Sequence, residues 1–132
     1  MTDPVNNRPD PDQLLASLIR EEDKSKRGKL HIFFGMCAGV GKTYNMLNVA
    51  LEEQAKGTDI VIGYVETHNR QETARLAEGL ELIPRKTITY RSAELQEMDL
   101  DAILNRNPET VLVDELAHTN AEGSRHAKRW QD

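Results

Sequence analysis

The feature that most limits this chain is a glycine-bearing loop set between two different periodicities. Leu30 to Phe34 is a short apolar run of the kind that forms a buried strand. It passes directly into Gly35-Met36-Cys37-Ala38-Gly39-Val40-Gly41. Lys42 then opens a segment running to Lys56 in which Met46, Leu47, Ala50 and Leu51 share one helical face, with Gly57 as its stop. The alternation continues downstream. Asp59 to Val65 is β-branched and strand-like, and Asn69 with Glu72 can cap a helix that carries Leu76, Ala77, Leu80 and Ile83 before Pro84. Thr87 to Tyr90 is a weaker strand, Asp99 to Asn107 a short helix halted by Pro108, and Thr110 to Val113 a further strand. Strands alternating with helices at this spacing predict an α/β fold, P-loop NTPase-like, with a largely parallel sheet flanked by helices. The last residues, His126 to Asp132, read as a helix just starting, so the expected domain is truncated at its C-terminus.

Two regions follow from this reading. Residues 1–28 are a polar leader, Met1 to Pro9, and a short amphipathic helix with Asp10 as N-cap, Pro11 at the first helical position, and Leu14, Leu15, Leu18 and Ile19 along one stripe. The charged run from Glu21 to Lys29 ends it near Gly28, and the stripe can pack on the domain or on a partner. Residues 29–132 hold the alternating pattern. Composition narrows the class: 38% hydrophobic and 30% charged residues suit a globular domain. A net charge of −5 disfavours sequence-independent nucleic-acid binding, which relies on clustered Lys and Arg. It leaves room for a compact anion site made from backbone amides. The single Cys37 permits no intrachain disulfide. No apolar run approaches the roughly 18 residues of a membrane helix, so direct membrane insertion of this segment is not expected.

The loop carries the chemistry. A phosphate needs amide N–H groups pointing inward, so the backbone must come close and turn sharply; Gly39 and Gly41 permit this, and the helix start adds a favourable dipole. The expected nucleotide-binding residues are Gly35, Cys37, Ala38, Gly39, Val40, Gly41, Lys42 and Thr43, with Lys42 reaching the β- and γ-phosphates and Thr43 ligating Mg²⁺. The general G-x-x-x-x-G-K-[ST] pattern places its first glycine where Met36 stands; the available one, Gly35, is a residue early. Val111-Leu112-Val113-Asp114-Glu115 is an apolar strand ending in two carboxylates. Asp114 is the second candidate Mg²⁺ ligand and Glu115 a candidate base toward water.

Other groups admit two readings each. Glu66, in Glu66-Thr67-His68 after a strand, is a rival base or a solvated loop carboxylate. His118 and Asn120 can sense a γ-phosphate by hydrogen bonding, or His118 can serve as a structural hydrogen-bonder. Arg125, Lys128 and Arg129 can supply a charge-stabilising finger, with Arg125 the candidate for γ-phosphate sensing, although a solvated basic turn fits them better. Cys37, beside a helix start, is either an activated thiol or a small buried hydrophobe.

Gly35 to Thr43, Val65-Glu66-Thr67-His68, Asp114-Glu115-Leu116-Ala117-His118-Thr119-Asn120, Gly123-Ser124-Arg125-His126 and Lys128-Arg129-Trp130-Gln131-Asp132 together resemble the N-terminal cytoplasmic domain of the KdpD family, the osmosensitive potassium-channel sensor histidine kinases of bacteria. The resemblance runs from about Arg8 to Asp132, and the early glycine matches the family's own variant. It implies an ATP-binding regulatory domain, cytoplasmic, within a dimeric inner-membrane kinase. That kinase autophosphorylates on histidine and passes the phosphoryl group to a response regulator controlling high-affinity potassium uptake. None of His31, His68, His118 or His126 is followed by Glu or Asp as a phosphoacceptor box requires, so phosphotransfer itself is expected to lie outside this segment. A different reading of the same residues is an autonomous small ATPase or small-molecule kinase with Glu66 or Glu115 as base.

Overall fold

The computed structural model describes residues 10–26, 31, 33 and 41–132. The expected leader, the strand over Leu30 to Phe34 apart from His31 and Phe33, and the loop from Gly35 to Val40 with Cys37 lie outside the described residues. The chain divides into two compact units, Met1–His31 and Ile32–Asp132.

In the first unit, α1 spans Pro11–Lys26. The Asp12 amide donates to the Asp10 carboxylate at 3.1 Å, the N-cap interaction that the Asp-Pro-Asp start predicts. Leu14, Leu15, Leu18 and Ile19 are about half exposed.

The second unit is an α/β arrangement. Its described elements are α2 (Lys42–Ala55), β1 (Ile60–Tyr64), α3 (Gln71–Glu78), β2 (Glu81–Leu82), β3 (Lys86–Tyr90), β4 (Ala93–Glu97), α4 (Leu100–Arg106), β5 (Thr110–Val113) and a 3₁₀ turn at Arg129–Gln131. β2, β1 and β5 form a parallel sheet in that order, with β1 central. Alternate residues of β1 enter opposite cores. Ile60 and Ile62 pack with Leu47 and Ala50 of α2, Leu80 and Leu112, joined by Leu76 and Ala77 of α3. Val61 and Tyr64 pack with Ile83, Met98 and Ile103 of α4. A strand buried on both faces needs a crossover helix on each side, and β1 is apolar throughout for that reason.

Three expectations change. The helix predicted to carry Leu80 and Ile83 stops at Glu78, because those residues flank β2 and the Ile83 amide donates to the Ile62 carbonyl at 2.9 Å. Strand pairing thus takes the apolar residues that looked like the end of a helical face. That helix also begins at Arg70 without a side-chain cap, while Asn69 takes a left-handed φ of 58°. The Thr87–Tyr90 strand does not join the parallel sheet; β3 pairs antiparallel with β4 through a turn at Arg91 and Ser92, both at positive φ. That geometry suits a tight hairpin, but it lacks the usual Asn-Gly signature. Finally, in place of a helix over His126 to Asp132 there is only the 3₁₀ turn at Arg129–Gln131, closed when the Lys128 amide donates to the Gln131 side chain at 2.9 Å.

Gly63 lies where β1 and β5 shift register, and a Cβ there would sit 2.8 Å from both Ile103 Cδ1 and Val111 Cγ2. Gly63→Ala should therefore destabilise the fold by about 1–3 kcal/mol, through overpacking between β1 and α4. A denaturant midpoint equal to that of the parent chain would refute this close approach. Arg106 binds both Asp59 oxygens (2.7 and 2.8 Å) and Glu81 (2.8 Å), tying the end of α4 to the starts of β1 and β2. The Arg106 hydrogen bonds hold the Asp59 carboxyl below the usual carboxylate range, against a smaller opposing effect of burial. A lowered folded-state value means the contribution is complete above the unfolded carboxylate range and is lost as pH falls through the folded value. The melting-temperature gap between parent and Arg106→Gln should be constant near neutrality and close only at acid pH below about 4. A gap that persists unchanged to pH 2 would contradict it.

Candidate functional site

The parallel pairing of β1 with β5 brings two strand ends to the same edge of the sheet, and the start of α2 meets them there. Gly41 precedes α2 at φ 79°, a left-handed conformation that glycine adopts without strain. Lys42 then opens the helix, is exposed, and pairs with no carboxylate among the described residues. Thr43 Oγ1 donates to Asp114 Oδ2 at 3.0 Å across 71 positions of sequence. The Glu66 amide donates to the same oxygen at 3.4 Å, and the Glu115 amide to Asp114 Oδ1 at 3.1 Å. The Asp114 amide donates to the Tyr64 carbonyl at 2.7 Å, carrying the ladder one step past the strands. Thr43, Glu66, Asp114 and Glu115 thus form one group. Glu115 has φ 54°, left-handed for a residue that rarely adopts it, and such positions cluster at functional turns.

The donor set that these contacts bring together is the Thr43 hydroxyl and the Asp114 carboxylate, with Glu66 and Glu115 joining through their amides. Hard oxygen ligands of this kind suit Mg²⁺, which commonly takes one or two protein groups and completes its shell with water and phosphate. Among the described residues no group of three or more His, Cys, Asp or Glu is placed to hold a metal alone. An open cleft lined by Gly41, Tyr44, Asn45, Arg70 and Thr73 lies between the starts of α2 and α3.

The remaining candidates sit in the segment after β5. His118 Nε2 lies 2.9 and 3.0 Å from the two oxygens of Glu97 and donates to that carboxylate. Asn120 donates to the His126 carbonyl and to Asp132. Arg125 pairs at the surface with Asp101 at 3.0 Å. In this state, each of these three side chains is engaged within the chain. Lys128 bonds Thr119 and the Ala117 carbonyl.

Arg129 overturns the expectation of a solvated basic turn. It is 1% exposed, with its guanidinium 3.3 Å from Glu97, 3.2 Å from the Asp114 carbonyl and 3.7 Å from the centre of the Tyr64 ring. Glu97, also buried, accepts from Arg129, His118 and the Ala121 amide. On the other flank, Arg85 donates to the Val65 carbonyl at 3.0 Å, lies 4.0 Å from Glu66 and 4.1 Å from the Tyr64 ring centre. Glu97, Arg85 and Tyr64 were not among the residues that sequence reasoning selected. Glu97 and Arg129 lie in charged stretches that look solvated, and only the tertiary fold buries them.

The family model for the osmosensitive K⁺ channel His kinase sensor domain, KdpD, matches residues 26–132. The chain is similar to Sensor protein KdpD of Escherichia coli (strain K12), 55% identical over 125 residues, covering 95% of this chain and 14% of the relative. It is 54% identical over 125 residues to Sensor protein KdpD of Clostridium acetobutylicum, again 95% of this chain and 14% of the relative. The protein of that name in Mycobacterium tuberculosis (strain ATCC 25618 / H37Rv) is 53% identical over 112 residues, 85% of this chain and 13% of the relative. The chain thus spans about one seventh of the length of these relatives. The match covers the α2 start, both strand ends and the Arg129 turn, and on it the chain belongs to the KdpD family, as an osmosensitive K⁺ channel His kinase sensor domain.

Proposed function

We propose that this domain binds ATP with Mg²⁺ and acts as the regulatory nucleotide sensor of a potassium-responsive sensor histidine kinase. The observation that carries the reading is the 3.0 Å contact between Thr43, at the start of α2, and Asp114, at the end of β5. A helix-opening hydroxyl beside a strand-end carboxylate is the pairing that P-loop proteins use to hold Mg²⁺ next to nucleotide phosphates. On this reading the fold is P-loop NTPase-like, and Gly35, Cys37, Ala38, Gly39, Val40 and Gly41 are proposed as phosphate-binding residues with Lys42 and Thr43. Lys42, exposed at the head of α2, approaches the phosphate charge. Thr43 and Asp114 would hold Mg²⁺, which supplies charge neutralisation to the phosphate oxygens.

The wider role follows from the family. The domain is proposed as a cytoplasmic segment of a bacterial inner-membrane kinase, with the remainder of a dimeric kinase as its immediate partner and a response regulator downstream. No helix among the described residues is long and apolar enough to cross a membrane. Nucleotide binding regulates such a kinase only by favouring one of two states through differential affinity.

Calorimetric titration of ATP into the chain, with Mg²⁺ and with EDTA, tests the site. Lys42→Ala should weaken binding about ten- to hundredfold, the loss expected for one charge-assisted bond to phosphate. It should leave the apo melting temperature unchanged, since the side chain is exposed. Asp114→Asn should abolish most of the gain in affinity that Mg²⁺ confers. A folded parent chain that binds no ATP, or an Mg²⁺ dependence untouched by Asp114→Asn, would refute the proposal. Turnover separates the enzymatic reading: steady ATP hydrolysis lost on replacing Glu66 or Glu115 would make the domain an ATPase in its own right.

A further inference from the structure

We propose that Tyr64, with Arg85 and Arg129 stacked on its ring, is a positioning hub that sets the separation of Glu66 and Asp114. The consequence for Mg²⁺ and nucleotide rests on the function proposed above; the structural claim does not. Tyr64 is the last residue of β1 and is 8% exposed. The guanidinium carbons of Arg85 and Arg129 lie 4.1 and 3.7 Å from its ring centre. Both guanidinium groups thus contact this one ring.

Each arginine joins the ring to one strand end. Arg85 donates to the Val65 carbonyl at 3.0 Å and lies 4.0 Å from Glu66. Arg129 donates to the Asp114 carbonyl at 3.2 Å and lies 3.9 Å from Glu115. The backbone closes the circuit, because the Tyr64 carbonyl accepts the Asp114 amide at 2.7 Å. One aromatic ring therefore connects, through two planar cations, the backbone on either side of the candidate cation site. Arg129 is fixed from behind by Glu97 at 3.3 Å, so it cannot swing away from the ring without giving up a buried ion pair. Cation–π attraction is strongest for such desolvated pairs. An aliphatic side chain such as Leu is smaller and lacks the attractive face. Among the described residues the Tyr64 hydroxyl has no hydrogen bond, so the ring is what matters.

Tyr64→Phe keeps the ring and Tyr64→Leu removes it. Amide hydrogen exchange of the full chain without ligand should show Glu66 and Asp114 exchanging about tenfold faster in Tyr64→Leu, relative to Val61 and Leu112 of the sheet. Tyr64→Phe should match the parent. If Tyr64→Leu fails to fold, Arg85→Gln removes one stack and the Val65 bond from a half-exposed position, and should accelerate Glu66 in the same way. Titration with ATP adds the functional readout: Tyr64→Leu should weaken binding about tenfold in Mg²⁺ and leave binding in EDTA unchanged, with Tyr64→Phe restoring the Mg²⁺ value. Leu and Phe variants that exchange alike, or an acceleration spread evenly over the sheet, would overturn the hub. A parent chain that binds no ATP would refute the nucleotide site, while the exchange contrast would still decide the hub. A parent that binds Mg²⁺ and ATP with no exchange contrast would overturn the hub alone.

Discussion

The parallel pairing of β1 with β5 is the constraint from which the rest of the site follows. Ile60, Val61 and Ile62 face Thr110, Val111 and Leu112, and the shift at Gly63 sets Tyr64 opposite Val113. Parallel strands end at the same edge of a sheet, so the residues after them are neighbours however far apart they are in sequence. Glu66 and Asp114 meet for that reason, and the Asp114 amide reaches the Tyr64 carbonyl only because Gly63 is skipped in the register. Burial on both faces fixes this register. Slipping β5 by one residue would turn Leu112 out of the core it shares with Ile62 and Leu47.

Beyond β5 the fold relies on polar contacts. The segment from Leu116 to Trp130 doubles back on itself through main-chain bonds from Asn120 to Ala127, Arg129 to His118 and Trp130 to Leu116, while the Trp130 side chain stays 65% exposed. What anchors this loop is Arg129, buried between Glu97, the Asp114 carbonyl and Tyr64. Removing one member of a buried ion pair costs about 3–5 kcal/mol, since the other is left without compensation. Glu97 is also the only residue of β4 that is buried, and it ties the exposed β3–β4 hairpin to the loop that carries His118. The hairpin, the loop and the end of β5 thus share one buried carboxylate.

How much of this the sequence disclosed depends on whether local or tertiary physics decides each part. The α2, β1, α4 and β5 segments were legible within a residue or two, because an apolar period with a stop signal is a local property. The apolar run of β5 ending in Asp114-Glu115 was equally plain. Leu80 and Ile83 were misassigned because a two-residue strand pairing with β1 outweighs helical periodicity. The β4 strand, Ala93-Glu94-Leu95-Gln96-Glu97, has no β-branched residue and a turn without glycine, so nothing local announces it. Among the candidate residues, Thr43, Glu66, Asp114 and Glu115 are singled out by their places before or after regular elements, and the fold brings them to one edge. The supporting residues are not, since the burial of an arginine or glutamate depends on contacts between Tyr64, Glu97 and Arg129 that are remote in sequence.

The charge arrangement bears on how the proposed ligand would have to bind. Glu66, Asp114 and Glu115 border the edge, and the two arginines nearest them, Arg85 and Arg129, already bond main-chain carbonyls and stack on Tyr64. Their charges offset the carboxylates without being directed at a ligand. A polyphosphate approaching this rim meets repulsion that Lys42 alone would only partly offset, on a chain whose net charge is −5. A divalent cation held by Thr43 and Asp114, as proposed, would make the local field more favourable to phosphate. If the domain binds both as proposed, metal and nucleotide binding would be coupled, each raising the affinity of the other by the same factor. On the function proposed above, the acidic rim would make the domain a poor binder of bare nucleotide for the same reason that it would suit the metal complex, and the proposed Tyr64 hub, by fixing the two strand ends, would set how closely the carboxylates approach that cation.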